Sequence, residues 1–265
     1  MVLDLEKRTY LLVTGASRGI GQRMAVELAD HLKAGSVVVL LARTEQGLAQ
    51  TKSSIEALGK DLKVYIFSID LSTAKKSQFL EILDKSLQGV NVRSFERAFI
   101  LHNAGTVGDV SKSAVESSDT DDWQVYFHMN VFSVISLNCE FFRKFTGVSK
   151  LVVNITSKCG IEPYGSMSFY CSGKAAREMY FRVLAVEQEN EDVLVLNYAP
   201  GAIDTEMTEL VQRQSSNKEL ADFFKMQRDT KTMLTTGQTT QKFLKVLQEQ
   251  KFKSGDHVDY WDDEE

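Results

Sequence analysis

Short apolar runs alternate with longer amphipathic stretches along the chain. Residues 10–13, 37–41, 64–69, 98–101, 151–155 and 193–196 are rich in Val, Ile and Leu. Apolar runs of this length predict strands covered on both faces, as in a parallel sheet. Between them, residues 20–32, 45–58, 74–87, 122–145 and 169–188 read as helices, and 237–250 follows as another. Strands alternating with helices predict βαβ units with right-handed crossovers. Residues 201–236 show no clear strand and read as a helical insertion or lid. Only two prolines occur, Pro163 and Pro200, and no Pro/Gly/Ser-rich linker divides the chain. Residues 1–265 therefore read as one α/β domain.

Composition narrows the class. Of 265 residues, 43% are hydrophobic and 25% charged, which excludes disorder over most of the chain. Lys and Arg number 31 against 36 Asp and Glu, so no basic field argues for nucleic acid. Residues 262–265 carry four of the negative charges, and without them the net charge of −5 becomes −1. The acidity thus reads as a property of a solvated tail. Cys139, Cys159 and Cys171 lack paired-ligand spacing, which argues against a disulfide framework and fits a reducing compartment. His31, His102, His128 and His257 also lack ligand spacing, so no metal site is expected. The longest apolar run, residues 37–42, is far below the roughly 18 residues that span a bilayer. Asp4 and Glu6 near the start argue against a signal peptide. A cytoplasmic protein without membrane attachment is expected.

The first strand runs into Thr14-Gly15-Ala16-Ser17-Arg18-Gly19-Ile20-Gly21, and a helix follows. Glycines let a backbone approach a pyrophosphate, and a helix N-terminus offers free N–H groups to it. Many dinucleotide folds place an acidic residue roughly 20 residues later, to bond the adenine ribose. Arg43 stands there instead, and Arg18 lies in the glycine loop. Two guanidiniums near one ribose suit a 2′-phosphate, so the expected cofactor is NADP(H) rather than NAD(H).

Tyr170 and Lys174 stand one turn apart on one helical face. A free tyrosine has a pKa near 10, and a neighbouring ammonium favours its phenolate. Ser157 follows the apolar run 151–155, where open α/β sheets bind their ligands. Asn130 lies within the long central helix.

These residues, with Asn103-Ala104-Gly105 and Pro200-Gly201, resemble in order and spacing the short-chain dehydrogenase/reductase family. One departure is His102, where the family usually has a second Asn before Asn-Ala-Gly. The resemblance implies a Rossmann-like, doubly wound sheet of about seven parallel strands with helices on both faces. It implies that Tyr170 is the general acid and that Ser157 polarises the carbonyl. Lys174 would hold the nicotinamide ribose and lower the Tyr170 pKa, and Asn130 would support a water relay to it. For the cofactor it implies Gly15, Ser17, Arg18, Gly19, Ile20 and Gly21, then Arg43. Further along come Asp70 and Leu71 beside the adenine, Asn103, Pro200, Gly201 and Thr205. It implies a homodimer through the central helices.

Residues 170–177, 199–207 and above all 252–260 resemble the pterin-reducing branch of the family. That likeness implies NADPH-dependent reduction of pterin side-chain ketones, in the formation of tetrahydrobiopterin or its dihydro form. It implies substrate contacts from Ser157, Tyr164, Tyr170, Cys171 and Met207, with Asp259 as anchor. A pterin's 2-amino group and adjacent ring N–H form a two-donor edge that one carboxylate can accept. Val258 and Tyr260 around Asp259 suggest a short final strand. Two other readings stay open. A general carbonyl reductase of diketones or quinones would share every catalytic residue and not need Asp259. A non-catalytic NADP(H)-binding regulator should have lost Ser157, Tyr170 or Lys174, and all three are present.

Overall fold

The computed structural model describes residues 3–262. Asp263, Glu264 and Glu265 of the expected acidic tail lie outside the described residues. Asp262 is not a frayed end: its carboxylate accepts the Asp259 backbone N–H at 2.7 Å and closes a turn.

Seven parallel strands form one sheet in the order β3-β2-β1-β4-β5-β6-β7. They are β1 (Thr9–Thr14), β2 (Ser36–Ala42), β3 (Leu62–Ser68), β4 (Arg97–His102), β5 (Lys150–Ile155), β6 (Val193–Ala199) and β7 (His257–Asp259). Strand alternation sorts the core into two layers. Tyr10, Leu12, Val37, Val39, Ala98 and Ile100 face one way. They pack on α3 (Lys76–Ser86), α5 (Ser133–Lys144) and α6 (Ser168–Glu187). Leu11, Val13, Val38, Leu40, Phe99 and Leu101 face the other way. They meet α1 (Gly19–His31), α2 (Glu45–Glu56) and α9 (Thr236–Glu249).

The central helical stretch differs from a plain helix. It begins as α4 (Thr120–Phe127), passes through a π-helical turn at His128–Phe132, and continues as α5. The wider turn carries Asn130, and such π-bulges recur at functional sites. Between β6 and α9 stand α7 (Glu206–Gln214) and α8 (Lys218–Asp229). A parallel bridge between Ile203 and Leu234 closes the base of this excursion. Among the described residues, no helix is long and apolar enough to cross a membrane.

Strand order reverses between β1 and β4, so a crevice opens at the carboxyl ends of the strands. Every catalytic candidate lies along that edge, on the π turn between α4 and α5, or on α6.

Candidate active site

The glycine loop is set by backbone packing. Gly15 has φ +68, and a Cβ there would lie 2.8 Å from Asn103 Nδ2. A Cβ on Gly21 would lie 2.2 Å from the same atom and 2.3 Å from the Gly15 carbonyl. Asn103 Nδ2 donates to the carbonyls of Thr14 at 3.0 Å and Gly15 at 3.2 Å. Asn103 therefore braces the loop from below as well as lining the cavity. Helix α1 then starts at Gly19 with no side-chain cap and no acid in its first turn. Its free N–H groups fit a pyrophosphate, so Gly15, Ser17, Gly19, Ile20 and Gly21 could hold a dinucleotide.

The residues expected around the adenosine are spread along the ends of β1 to β3. Arg43 is exposed beyond β2. Leu71 is buried in the core. Asp70 is exposed and folds back on its own turn, accepting Ser72 N–H and hydroxyl at 2.9 and 2.8 Å. The Ser72 backbone bond comes first among the causes that hold its carboxyl below the ordinary range. Arg18 reaches across to pair with Glu206 at the start of α7, both well exposed. Thr205 caps α7 and lines the cavity.

A cavity of about 310 Å³ opens beside the glycine loop, bordered by Ile20, Gly105 and Gly201 among others. Ser157, Tyr170, Lys174, Asn103, Tyr164, Met207, Thr205 and Asp259 all border it. Cys171 does not: its neighbour across the turn, Cys159, forms the wall. Cys171 points back instead, its sulfur 3.9 Å from the Glu162 carbonyl. Leu220, Phe223, Phe224 and Trp261 supply an apolar side that the pattern of the sequence did not reveal. They come from α8 and the chain end, and Phe223 and Trp261 remain substantially exposed, so no buried periodicity marks them.

Tyr170 differs from expectation in its proton affinity. Burial pushes its hydroxyl well above the ordinary tyrosine value, and the Cys159 thiol pushes the same way. The Ser157 hydroxyl and the Arg177 guanidinium oppose this without overturning it. Lys174 lies over the Tyr170 ring. Its Nζ donates to the Ile155 carbonyl at 2.7 Å and lies 5.3 Å from the Tyr170 ring centre. Burial holds the Lys174 ammonium well below its ordinary value, and Arg177 repels it. Tyr170 is thus protonated at neutral pH, the form a general acid must have.

Asn130 has both ends of its amide engaged. Its oxygen accepts Thr106 N–H at 2.9 Å, and its nitrogen donates to the Tyr126 carbonyl at 3.0 Å. It holds the loop after β4 against the π turn.

Two residues of α6 were not singled out from the sequence. Arg177 is 1% exposed and donates to Asn154 Oδ1 at 3.0 Å, the Ala104 carbonyl at 2.9 Å and the His102 carbonyl at 2.7 Å. Burial draws its guanidinium down to about 10. Glu178 is its neighbour and faces β7. Their spacing places them on the helical face of Tyr170 and Lys174, a signal that could have marked them, but charged residue types read as solvated. Among the described residues, no three His, Cys, Asp or Glu side chains gather as a metal would need.

A serine, tyrosine and lysine at the carboxyl edge of a doubly wound sheet, beside an uncapped glycine-rich helix start, define a dinucleotide-dependent oxidoreductase. The chain belongs to the short-chain dehydrogenase family, whose model, described as short chain dehydrogenase, matches residues 9–216. It is 37% identical over 254 residues to sepiapterin reductase of Mus musculus, covering 95% of this chain and 96% of that one. It is 31% identical over 212 residues to the (S)-benzoin-forming benzil reductase of Bacillus subtilis strain 168, covering 78% and 79%. Among solved structures, a short chain dehydrogenase of Escherichia coli CFT073 complexed with NADPH superposes with a TM-score of 0.74. The two are 26% identical, over 97% of this chain and 98% of that one. The chain is an oxidoreductase of carbonyl and alcohol groups.

Proposed function

We propose that the chain reduces side-chain ketones of pterins with NADPH, a reading that its relatives named sepiapterin reductase support. The observation that carries this reading is Asp259, a half-buried carboxylate on the wall of the cavity that Ser157 and Tyr170 border. A general carbonyl reductase would not need a carboxylate there beyond its turn, in which Asp259 Oδ1 accepts the Trp261 N–H at 3.1 Å. A pterin's two-donor edge does, and one carboxylate accepts both bonds. The bound nicotinamide would supply the hydride. Tyr170 would donate the proton to the carbonyl oxygen, and Ser157 would hold that oxygen. Lys174 would orient the nicotinamide ribose from its seat on the Ile155 carbonyl. The apolar side of Phe223, Phe224 and Trp261 would cover the ring, and α7 with α8 would exclude water above it.

For NADPH over NADH, the reading rests on Arg43 and on Arg18, which would exchange Glu206 for a 2′-phosphate. Arg43→Ala should weaken NADPH binding by about 1.5–3 kcal/mol and leave NADH nearly unchanged. Equal weakening of both would make Arg43 structural. For a homodimer through the central helices, the support is an exposed apolar face. Val125, Phe132, Met179 and Val183 are 60%, 51%, 58% and 47% exposed. Light scattering at twice the chain mass is the expected result. A cytoplasmic site of action fits three free cysteines.

The test of the main reading is NADPH oxidation by the unaltered protein with sepiapterin beside benzil. The reading expects the higher kcat/KM with sepiapterin. Turnover of benzil alone would favour the diketone reductase, to which the Bacillus relative gives independent support.

A further inference from the structure

We propose that Glu178 and His257 are positioning residues for substrate recognition, locking the strand that carries Asp259 in register against the catalytic helix. The inference rests on Asp259 being the pterin anchor.

Strand β7 is three residues long and pairs only with β6, through Asn197–His257, Tyr198–Val258 and Ala199–Asp259. Flanking bonds from Gly255 N–H to the Val195 carbonyl and Tyr260 N–H to the Ala199 carbonyl extend the pairing, and Val258 packs on the core, but so short an edge strand has few ladder bonds of its own. A slip of one residue would turn Asp259 to the opposite face of the sheet. A substrate anchor must be held within about 0.5 Å to be useful. The backbone ladder alone is a poor means to that end.

The side chains supply what the ladder lacks. His257 and Asp259 are two apart and share one face of β7. His257 Nδ1 lies 2.9 Å from Glu178 Oε2, with the two side chains 10% and 3% exposed. Glu178 stands one turn beyond Lys174 and two beyond Tyr170 on α6. The same oxygen accepts the Thr156 hydroxyl at 2.8 Å, and Thr156 directly precedes Ser157. Arg182 steadies the other carboxylate oxygen at 2.9 Å. Gly160 leaves the room this needs: a Cβ there would lie 3.0 Å from Glu178 Oε2 and 3.1 Å from Thr156 Oγ1. One carboxylate oxygen therefore joins the Ser157 strand end, the Tyr170 helix and the Asp259 strand.

Two further features favour a positioning role over plain packing. Burial pushes the Glu178 carboxyl up, yet hydrogen bonds from His257 and Thr156 outweigh it and hold the group ionised. His257 Nε2 is buried without a hydrogen-bond partner. A ring that leaves one buried nitrogen unpaired is a poor choice for stability and a good one for direction. The approach is close as well: at Gly255, φ +93, a Cβ would lie 2.9 Å from Ala185 Cβ on α6.

The test compares His257→Leu, which removes the donor, with His257→Asn, which keeps an N–H near the Nδ1 position. NADPH binding by each variant reports that it is folded. His257→Leu should raise KM for sepiapterin about tenfold, the loss of one hydrogen bond to a charged group, with kcat within about twofold. KM for benzil should stay within the same twofold, and His257→Asn should restore most of the sepiapterin KM. Glu178→Gln, which keeps an acceptor and the size, should raise that KM a few-fold. Combined with Asp259→Asn, His257→Leu should add nothing further, since it acts through Asp259. Equal losses with both substrates, no loss with either, or no rescue by Asn overturns the proposal. If Asp259→Asn alone raises KM for sepiapterin while His257→Leu does not, the pair fails and the anchor stands. If Asp259→Asn leaves that KM unchanged, the anchor fails and the proposal falls with it.

Discussion

On one side of Tyr170, the glycine loop rises from a six-residue strand flanked by two parallel neighbours. On the other, Asp259 stands on a three-residue strand at the sheet's edge. The first region is held by a close backbone fit that the Asn103 side chain braces through the Thr14 and Gly15 carbonyls. Gly15 and Gly21 fit so closely under Asn103 that no side chain could enter. The second adds side chains to a short ladder: Glu178 to His257 and Asp262 to the Asp259 N–H, beside the backbone bond of Tyr260 N–H to the Ala199 carbonyl. A slot for a shared cofactor needs one invariant shape, which backbone supplies. A pocket for a particular substrate needs adjustable chemistry, which short elements and side chains supply. Between the two, α6 sets Tyr170 and Lys174 on the cavity wall, Arg177 on the His102 and Ala104 carbonyls, and Glu178 on His257 of β7.

If the two regions are separable in this way, substitutions should divide accordingly. The chemistry they share comes first. Tyr170→Phe removes one hydroxyl and little volume. Turnover should fall roughly 10²–10⁴-fold with both sepiapterin and benzil, while NADPH affinity stays the same. Single-turnover rates read this directly, and near-normal turnover with either substrate would break the comparison at its pivot.

Next is the backing of the cofactor side. Arg177→Met keeps length but leaves Asn154 Oδ1 and the carbonyls of His102 and Ala104 without their donor. Unpaired buried groups cost about 1–3 kcal/mol each. A loss on the order of 3 kcal/mol is expected, roughly 6–12 °C in melting temperature. A shift under a degree would show that the guanidinium carries little of the structure.

A smaller effect comes from His102, which also lies on that side. Burial draws its imidazole down to about 3, and Arg177 pulls in the same direction. The folded chain therefore refuses a proton that the unfolded chain takes up near pH 6.5. Its contribution is fully present above pH 6.5 and is lost as pH falls toward 3. At pH 5 the loss is about 2 kcal/mol. Urea unfolding at pH 7 and pH 5 should show this drop, and His102→Asn should remove it. The same drop in both proteins would assign the pH dependence elsewhere.

How much of this was legible beforehand follows the same division. The parallel sheet and its helices were readable because Val-, Ile- and Leu-rich runs bury on both faces. The glycine loop was readable because its chemistry lies in residue type and order. Tyr170, Lys174 and Ser157 were readable as a set through the family they resemble. What escaped was tertiary. Arg177 and Glu178 read as surface charge by residue type, although their spacing sets them on the face of Tyr170 and Lys174, and His257 shows its partner only once β7 is placed beside α6. The apolar side formed by Phe223, Phe224 and Trp261 follows from how α8 and the chain end fold over.

The account turns on whether Asp259 selects the substrate without taking part in the chemistry, and one preparation of Asp259→Asn decides it. Asn keeps the size but sets a donor against a pterin donor, at a cost of about 1–3 kcal/mol. A site built to bond a specific edge discriminates strongly against its loss. With NADPH saturating, kcat/KM for sepiapterin should fall roughly 5–150-fold, while kcat/KM for benzil stays near its unaltered value. Parallel loss of the two activities, or no loss of either, would contradict the account and leave a general carbonyl reductase in its place.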